Sequence, residues 1–230
     1  MKPQELKRAR LDKNWTQTEA ADRLGMTQAY LNFLENGKRQ LTPRLVRRAV
    51  SVYGLSPEGL PVADTFMRAS TDDKRLTELV AQLGYPGFLY VRAHSVKKNP
   101  SEVLLTALAQ KSLDGRVAEA LPWVAMEYAQ SKPDSWLVEN ARKFSLQNRL
   151  GFVVTLAKRV AESRGNVSKA KALGLLETSL DDSRLAKEDA FYRPPRTENE
   201  REWLRKNRTK DAEHWNLLTD MKPEHLQYAG

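Results

Sequence analysis

The sequence predicts a mainly all-α protein with a small basic N-terminal domain followed by a larger helical one. Three observations carry that expectation. Apolar residues recur at helical rather than strand spacing through most of the 230 residues. Thr and Ser stand where these patterns begin and Gly where they end, as helix caps and left-handed stops require. Only residues 88–91 read as a brief strand, and a strand without a partner is marginal, so an irregular buried segment is the better expectation there.

Along residues 1–62 the elements follow in short steps. Pro3 suits a first helical turn, and Leu6, Ala9 and Leu11 supply a buried stripe up to Asn14 and Trp15. Thr16 with Glu19 three residues on makes a capping box, so a second helix begins at Gln17 and runs to Gly25. Thr27 caps a third, with Tyr30, Leu31 and Leu34 at helical spacing before the Asn36-Gly37 stop. Thr42-Pro43 opens a fourth, which turns Leu45, Val46, Ala49, Val50 and Tyr53 inward and Arg44, Arg47 and Arg48 outward until Gly54. Ser56-Pro57-Glu58 starts a short fifth turn.

Charge and composition narrow the function. Thirty-eight Lys and Arg against 29 Asp and Glu leave +9, with a pI near 9.7, so a polyanion is the first partner to consider. Residues 1–60 hold 11 basic and 6 acidic side chains, more than half of that excess in a quarter of the chain. With no cysteine there is no disulfide, thiolate nucleophile, iron–sulfur cluster or Cys-containing zinc site. The three histidines, His94, His214 and His225, have no HExxH spacing, so no metal site is expected. There is no Walker loop, no nucleophile elbow and no dinucleotide fingerprint after a convincing strand, so neither catalytic residues nor a cofactor is expected. The pairs Asp181-Asp182 and Glu188-Asp189 read as cap and surface charges. No apolar run reaches the length of a membrane span and no signal core opens the chain, so the cytoplasm is the expected location.

The run from Thr16 to Arg39, TQTEAADRLGMTQAYLNFLENGKR, resembles the helix-turn-helix of the Cro/cI (XRE) regulators. The likeness rests on Gln17 opening the first motif helix, the Ala20-Ala21 pair, Gly25 in the turn, the Thr27-Gln28 start and the Glu35-Asn36-Gly37-Lys38 exit. It covers about residues 3–60 and implies a five-helix lambda-repressor-like DNA-binding domain. Small residues at 20 and 21 and a glycine at 25 independently suit two helices crossing closely, with the second projecting into a major groove. There Gln28 can pair with adenine, Ala29 can touch a thymine methyl, and Asn32 can reach a base or a phosphate. Tyr30 serves either the DNA or the domain core. The resemblance also implies that Gln17 binds a phosphate with its amide and the free N–H groups of its helix, and that Thr27, Asn36, Lys38, Arg39 and Arg44 hold the flanking backbone. Arg10 and Glu35 stand where related domains place a structural salt bridge. Phe33 departs from the polar residue often found at its place and reads as core, while Arg47 and Arg48 read as a solvated face.

Periodicity continues in residues 70–192, the expected partner-binding or oligomerisation domain. Helical patterns cover residues 72–83, a stretch from Pro100 capped by Ser101, 117–130 with a kink or new start at Pro122, 135–163 as one helix or two with Gly151 as a possible interruption, and 169–180. Residues 193–230 read as a basic, aromatic arm. Trp203, Arg205, Arg208 and Trp215 mix aromatic and cationic groups as a partner groove or nucleic acid would require. Leu204 and Trp215 share a face if the helix is unbroken. The arm either docks a partner or folds back on its own domain.

Four stretches, Leu121-Pro122-Trp123, Gln147 to Phe152, Ser183 to Ala186 and His214-Trp215-Asn216, resemble antitoxins that accompany nucleotidyltransferase-like toxins. The expectation is a sequence-specific DNA-binding repressor that binds an operator in double-stranded DNA, neutralises a co-encoded toxin and autoregulates, with homodimerisation possible. The alternative is a stand-alone phage-type or metabolic repressor whose helical domain serves oligomerisation or effector sensing.

Overall fold

The computed structural model describes residues 1–92, 96–130 and 134–226. Twelve α-helices lie among them, with one short parallel strand pair, so the fold is all-α in the main. The chain divides into two compact units, Met1–Ala63 and Asp64–Gly230.

The first unit holds α1 (Pro3–Asp12), α2 (Gln17–Leu24), α3 (Gln28–Glu35) and α4 (Pro43–Tyr53), then a 3-10 turn at Pro57–Gly59. Its boundaries are set by local chemistry. The Thr16 hydroxyl accepts from Glu19 N while Glu19 Oε2 accepts from Thr16 N, so both orphan amides are satisfied. Gly25 and Gly54 end α2 and α4 at φ of +62° and +64°, which favour residues without a Cβ. Leu6, Ala9, Ala20, Ala21, Leu24, Leu31, Leu34, Ala49 and Tyr53 close the core. Leu11 does not join them and is 52% exposed, because two positions beyond Ala9 lies about 200° round a helix.

The second unit is built round α9 (Gln147–Ser163), most of whose residues are buried, with α7 (Gly115–Glu127) and α10 (Val167–Asp181) packed along it. α5 (Asp73–Gln82), α6 (Pro100–Leu108) and α8 (Ser135–Lys143) complete its helical body. Several details differ from the sequence expectation. Residues 135–163 form two helices, and the break falls at Ser145, held at φ +56°, rather than at Gly151. Gly151 lies inside α9 because the six-membered ring of Trp215 covers it, leaving no room for a Cβ. Pro122 neither starts nor ends α7; it sits buried within that helix between Leu121 and Val124. α6 is capped by Asn99, whose side chain accepts from Ser101 N, not by Ser101 itself. Residues 86–88 form a 3-10 turn, and of the expected irregular buried segment 88–91 Phe88 is buried while Leu89 and Tyr90 are exposed.

The C-terminal segment is part of this body. β1 (Asp189–Ala190) pairs in parallel with β2 (Leu217–Leu218), with Asp189 opposite Leu217, and α11 (Glu198–Asn207) and α12 (Lys210–His214) form the crossover that parallel strands need. The helix breaks after Asn207, where Arg208 is extended and Thr209 caps α12, yet Leu204 and Trp215 are both buried. Leu217, Leu218 and Met221 join them.

Candidate nucleic-acid interface

α2, the Gly25 turn and α3 set one exposed helix face on the first unit. Leu31, Leu34 and Glu35 point inward from α3, whereas Gln28, Ala29 and Phe33 point out and Asn32 is half-buried between them. What orients the outward amides is a chain of hydrogen bonds that starts in the core. Arg10 donates from Nε and Nη2 to the two oxygens of Glu35, at 2.7 and 3.0 Å, and from Nη1 to the Trp15 carbonyl at 2.9 Å. Burial alone would push the Glu35 carboxyl up, but hydrogen bonds from Arg10 and Gln17, with the Arg10 and Lys7 charges, hold it below the ordinary range. The Arg10 guanidinium is pushed up by the same pairing with Glu35.

An ionised carboxylate only accepts, so the neighbouring Gln17 must present its amide nitrogen, and Gln17 Nε2 donates to Glu35 Oε2 at 2.9 Å. That leaves Gln17 Oε1 facing α3, where it accepts from Gln28 Nε2 at 2.9 Å and from Asn32 Nδ2 at 3.4 Å. Asn36 Nδ2 in turn donates to the carbonyl and side-chain oxygens of Asn32, at 2.9 and 3.1 Å. Each amide along the row is thereby given one orientation. Gln28 keeps its Oε1 and one amide hydrogen free, the acceptor and donor that match adenine N6 and N7.

The residues expected to meet phosphates flank α3 in the chain, with Arg44 on α4. Thr27, Asn36, Lys38, Arg39 and Arg44 are exposed. The Thr27 oxygen accepts from Tyr30 N as a cap, and its hydroxyl hydrogen remains for an anion. Gln17 gives one amide hydrogen to Glu35 and its oxygen to α3, which leaves its second amide hydrogen, beside the first-turn backbone amides of α2, for an anion. Tyr30 packs half-buried against the core. Arg48 is closer to the site than a solvated face would put it, since a Cβ on Gly25 would meet its Nη2 at 2.5 Å. The signal for this was Gly25 itself, needed for the turn and for the space above it. Phe33 does not enter the core and is 42% exposed. Trp15 stacks beneath the Arg23 guanidinium, 4.2 Å from the ring centroid, and against Tyr53.

The proposed partner-binding set of the arm does not form one surface. Trp203 is 55% exposed, but Arg205 forks onto Glu188, with both bonds at 2.9 Å, and Arg208 reaches inward toward the Leu217 carbonyl. Trp215 is fully buried, its ring on α9 and its Nε1 donating to Thr155 Oγ1 at 2.8 Å. It is an anchor of the fold, because an indole beside a glycine in a helix fills the space a side chain would take. Three of the four acidic residues meet cations, Asp181 with Arg184, Glu188 with Arg201 and Arg205, and Asp189 with Arg149, and Asp181 also hydrogen-bonds His214 Nε2. The Arg205 fork holds the Glu188 carboxyl below its usual range.

Among the described residues no cluster of three His, Cys, Asp or Glu side chains is placed to hold a metal, and no helix is long and apolar enough to cross a membrane. His94 and the side chain of His225 lie outside that description. Two open clefts mark the second unit. One of about 670 Å³ is lined by Arg68, Asp72, Asp73, Gln110, Lys111 and Arg149, and one of about 440 Å³ by Lys158, Arg159, Glu177, Asp181, Asp211 and His214. In the second cleft Lys158 pairs with Glu177 and Arg159 with Asp211, and His214 Nε2 hydrogen-bonds Asp181 at 2.9 Å.

Residues 6–60 match the helix-turn-helix family model, of the XRE type. No curated protein and no solved structure matches the chain. The chain is therefore a DNA-binding transcription regulator whose helix-turn-helix is α2–α3.

Proposed function

We propose that this regulator is a sequence-specific repressor of its own operon, and that its second unit binds and neutralises a co-encoded toxin. The observation that carries the first half is the oriented amide row. Gln28 and Asn32 are aligned through Gln17 by a buried, charged Glu35, so they meet a base edge already in position. Lys38, Arg39 and Arg44 round that face supply the sequence-independent attraction to phosphates.

The toxin-binding half rests on the resemblance of four stretches to antitoxins. Three of these interlock. Gln147 Nε2 donates to the Ser183 carbonyl at 2.9 Å, the Asn148 side chain exchanges two hydrogen bonds with the Leu185 backbone, and Asn216 Nδ2 donates to the Leu185 carbonyl at 2.8 Å. Arg184 reaches the His214 carbonyl, and Trp215 covers Gly151. The resemblance thus concerns residues that shape the second unit, and the partner surface belongs to side chains they carry outward. The role is one of binding rather than catalysis, in keeping with the Lys158–Glu177 and Arg159–Asp211 pairs of the second cleft.

The test separates the two halves. The full chain is co-expressed with the product of the adjacent gene, beside a reporter driven by the operon's promoter. Growth rescue and promoter repression are expected from the native chain, and rescue without repression from Gln28→Ala. Repression with no rescue by either chain would replace the antitoxin reading with that of a stand-alone repressor.

A further inference from the structure

We infer that Phe33 is a specificity-determining residue, and that it reads the 5-methyl group of a pyrimidine in the major groove. The inference rests on the operator-reading role proposed above and names a chemistry for part of it.

Phe33 is an aromatic side chain 42% exposed on a helix whose other large apolar residues, Leu31 and Leu34, are fully buried. It stays outside the apolar side chains that close the N-terminal core. Ala29 is one turn before it and is also exposed. Residues four apart on a helix stack along one row, so Ala29 and Phe33 form an apolar row. Beside it runs the amide row Gln28, Asn32 and Asn36, joined by hydrogen bonds and pinned through Gln17 to Glu35. The outward face of α3 is thus divided lengthwise into a hydrogen-bonding half and an apolar half.

The end of the helix is also held. The Phe33 carbonyl accepts from Lys38 N at 2.8 Å and from Arg39 N at 3.3 Å, which ties the turn carrying two exposed cations back to this residue. Cations that seat on phosphates would bring Phe33 toward base edges. Among the four bases the apolar group displayed in the major groove is the thymine 5-methyl, and cytosine acquires the same group when methylated at C5. Phe33 lies about 6 Å beyond Ala29 along the α3 axis, so the two side chains reach separate points of a groove.

The experiment uses the full chain and the duplex it selects from a random-sequence pool. Each thymine of a half-site is replaced singly by uracil, and each cytosine by 5-methylcytosine, and affinities are measured for the native chain, Phe33→Ala and Phe33→Leu. One thymine is expected at which uracil weakens the native chain about fourfold, the worth of one buried methyl-sized group. At that position Phe33→Ala should bind thymine and uracil alike, and Phe33→Leu should keep part of the difference. Cytosine placed there should bind better once methylated. An identical uracil profile for the native chain and Phe33→Ala would overturn the assignment to Phe33. If Gln28→Ala then still alters the preferred sequence, only Phe33 is misassigned; if no preferred sequence emerges from the pool, the operator-reading role itself fails.

Discussion

Each unit of the molecule contains a chain of polar side chains that begins in its core, and the two chains end differently. In the first unit the chain runs from Arg10 and Glu35 through Gln17 to Gln28 and Asn32, and ends on amides with unused donors and acceptors. In the second it runs from the buried Trp215 through Thr155 to Glu177, where Lys158 closes it at 2.9 Å. An open end offers hydrogen bonds to a ligand, whereas a closed one holds packing in register. The difference supports the proposal that α3 does the reading and gives Trp215 a structural role, although a tryptophan among basic residues reads in sequence as a docking residue.

The largest effect expected from this contrast is in the second unit. Trp215→Ala should lower unfolding free energy by about 3–5 kcal/mol, through the lost ring and the cavity over Gly151. Gly151→Ala, which forces a Cβ against that ring, should cost about 1–3 kcal/mol. Chemical denaturation measures both; a tolerated Trp215→Ala would mean that the indole is not an anchor.

Next comes the closed core end of the first chain. Glu35→Ala strands Arg10 and should cost about 3 kcal/mol, with operator affinity falling as the orientation of Gln17 is lost. The pair also gives a pH signature. The Glu35 carboxyl lies below its ordinary value, so its contribution is complete above about pH 4.3, the unfolded value, and is lost as pH falls through the lower folded one. Urea midpoints followed from pH 7 to pH 3 should drop at the acid end in the native chain and less so in Glu35→Gln. Equal slopes would break the link between this carboxylate and the fold.

A smaller effect is expected at the rim. Lys38→Ala should weaken all duplexes similarly and reduce the slope of log affinity against log salt by about 1, without altering sequence preference. A changed preference would move Lys38 from the phosphate set into the reading set. The smallest concerns Tyr53, whose hydroxyl is buried without a hydrogen-bond partner among the described residues. Burial, aided by the Glu35 charge, pushes its phenol up to about 12. Tyr53→Phe should leave stability within about 1 kcal/mol, since no bond is lost. A loss above about 2 kcal/mol would show that the hydroxyl is in fact satisfied.

The first unit is legible in sequence because its decisions are local. Thr16 and Glu19, Thr27, Thr42-Pro43, Gly25 and Gly54 each act within four residues, and α2 begins and ends where they place it. The Gln17–Gln28 contact was not legible, because it depends on which amide atom Glu35 turns outward, a fact of three dimensions. Phe33 and Leu11 were misread for a shared reason: hydrophobicity suggests burial, but the angle round the helix decides it. In the second unit the purpose of Gly151 comes from a contact with Trp215, tens of residues away, and the break at Ser145 falls on a left-handed non-glycine residue; periodicity registers neither. The short β1–β2 pair rests on a crossover through α11 and α12 and has no run of residues long enough to announce it.

If α3 reads sequence through amides aligned from the core, the ratio of affinities for a selected operator and for scrambled duplex, measured at one moderate salt concentration, must differ between the native chain and Gln28→Ala. The substitution should lower operator affinity about 10- to 100-fold, the range of one bidentate base contact, while binding to scrambled duplex is unchanged. An equal loss on both duplexes, or no loss on either, would contradict that reading.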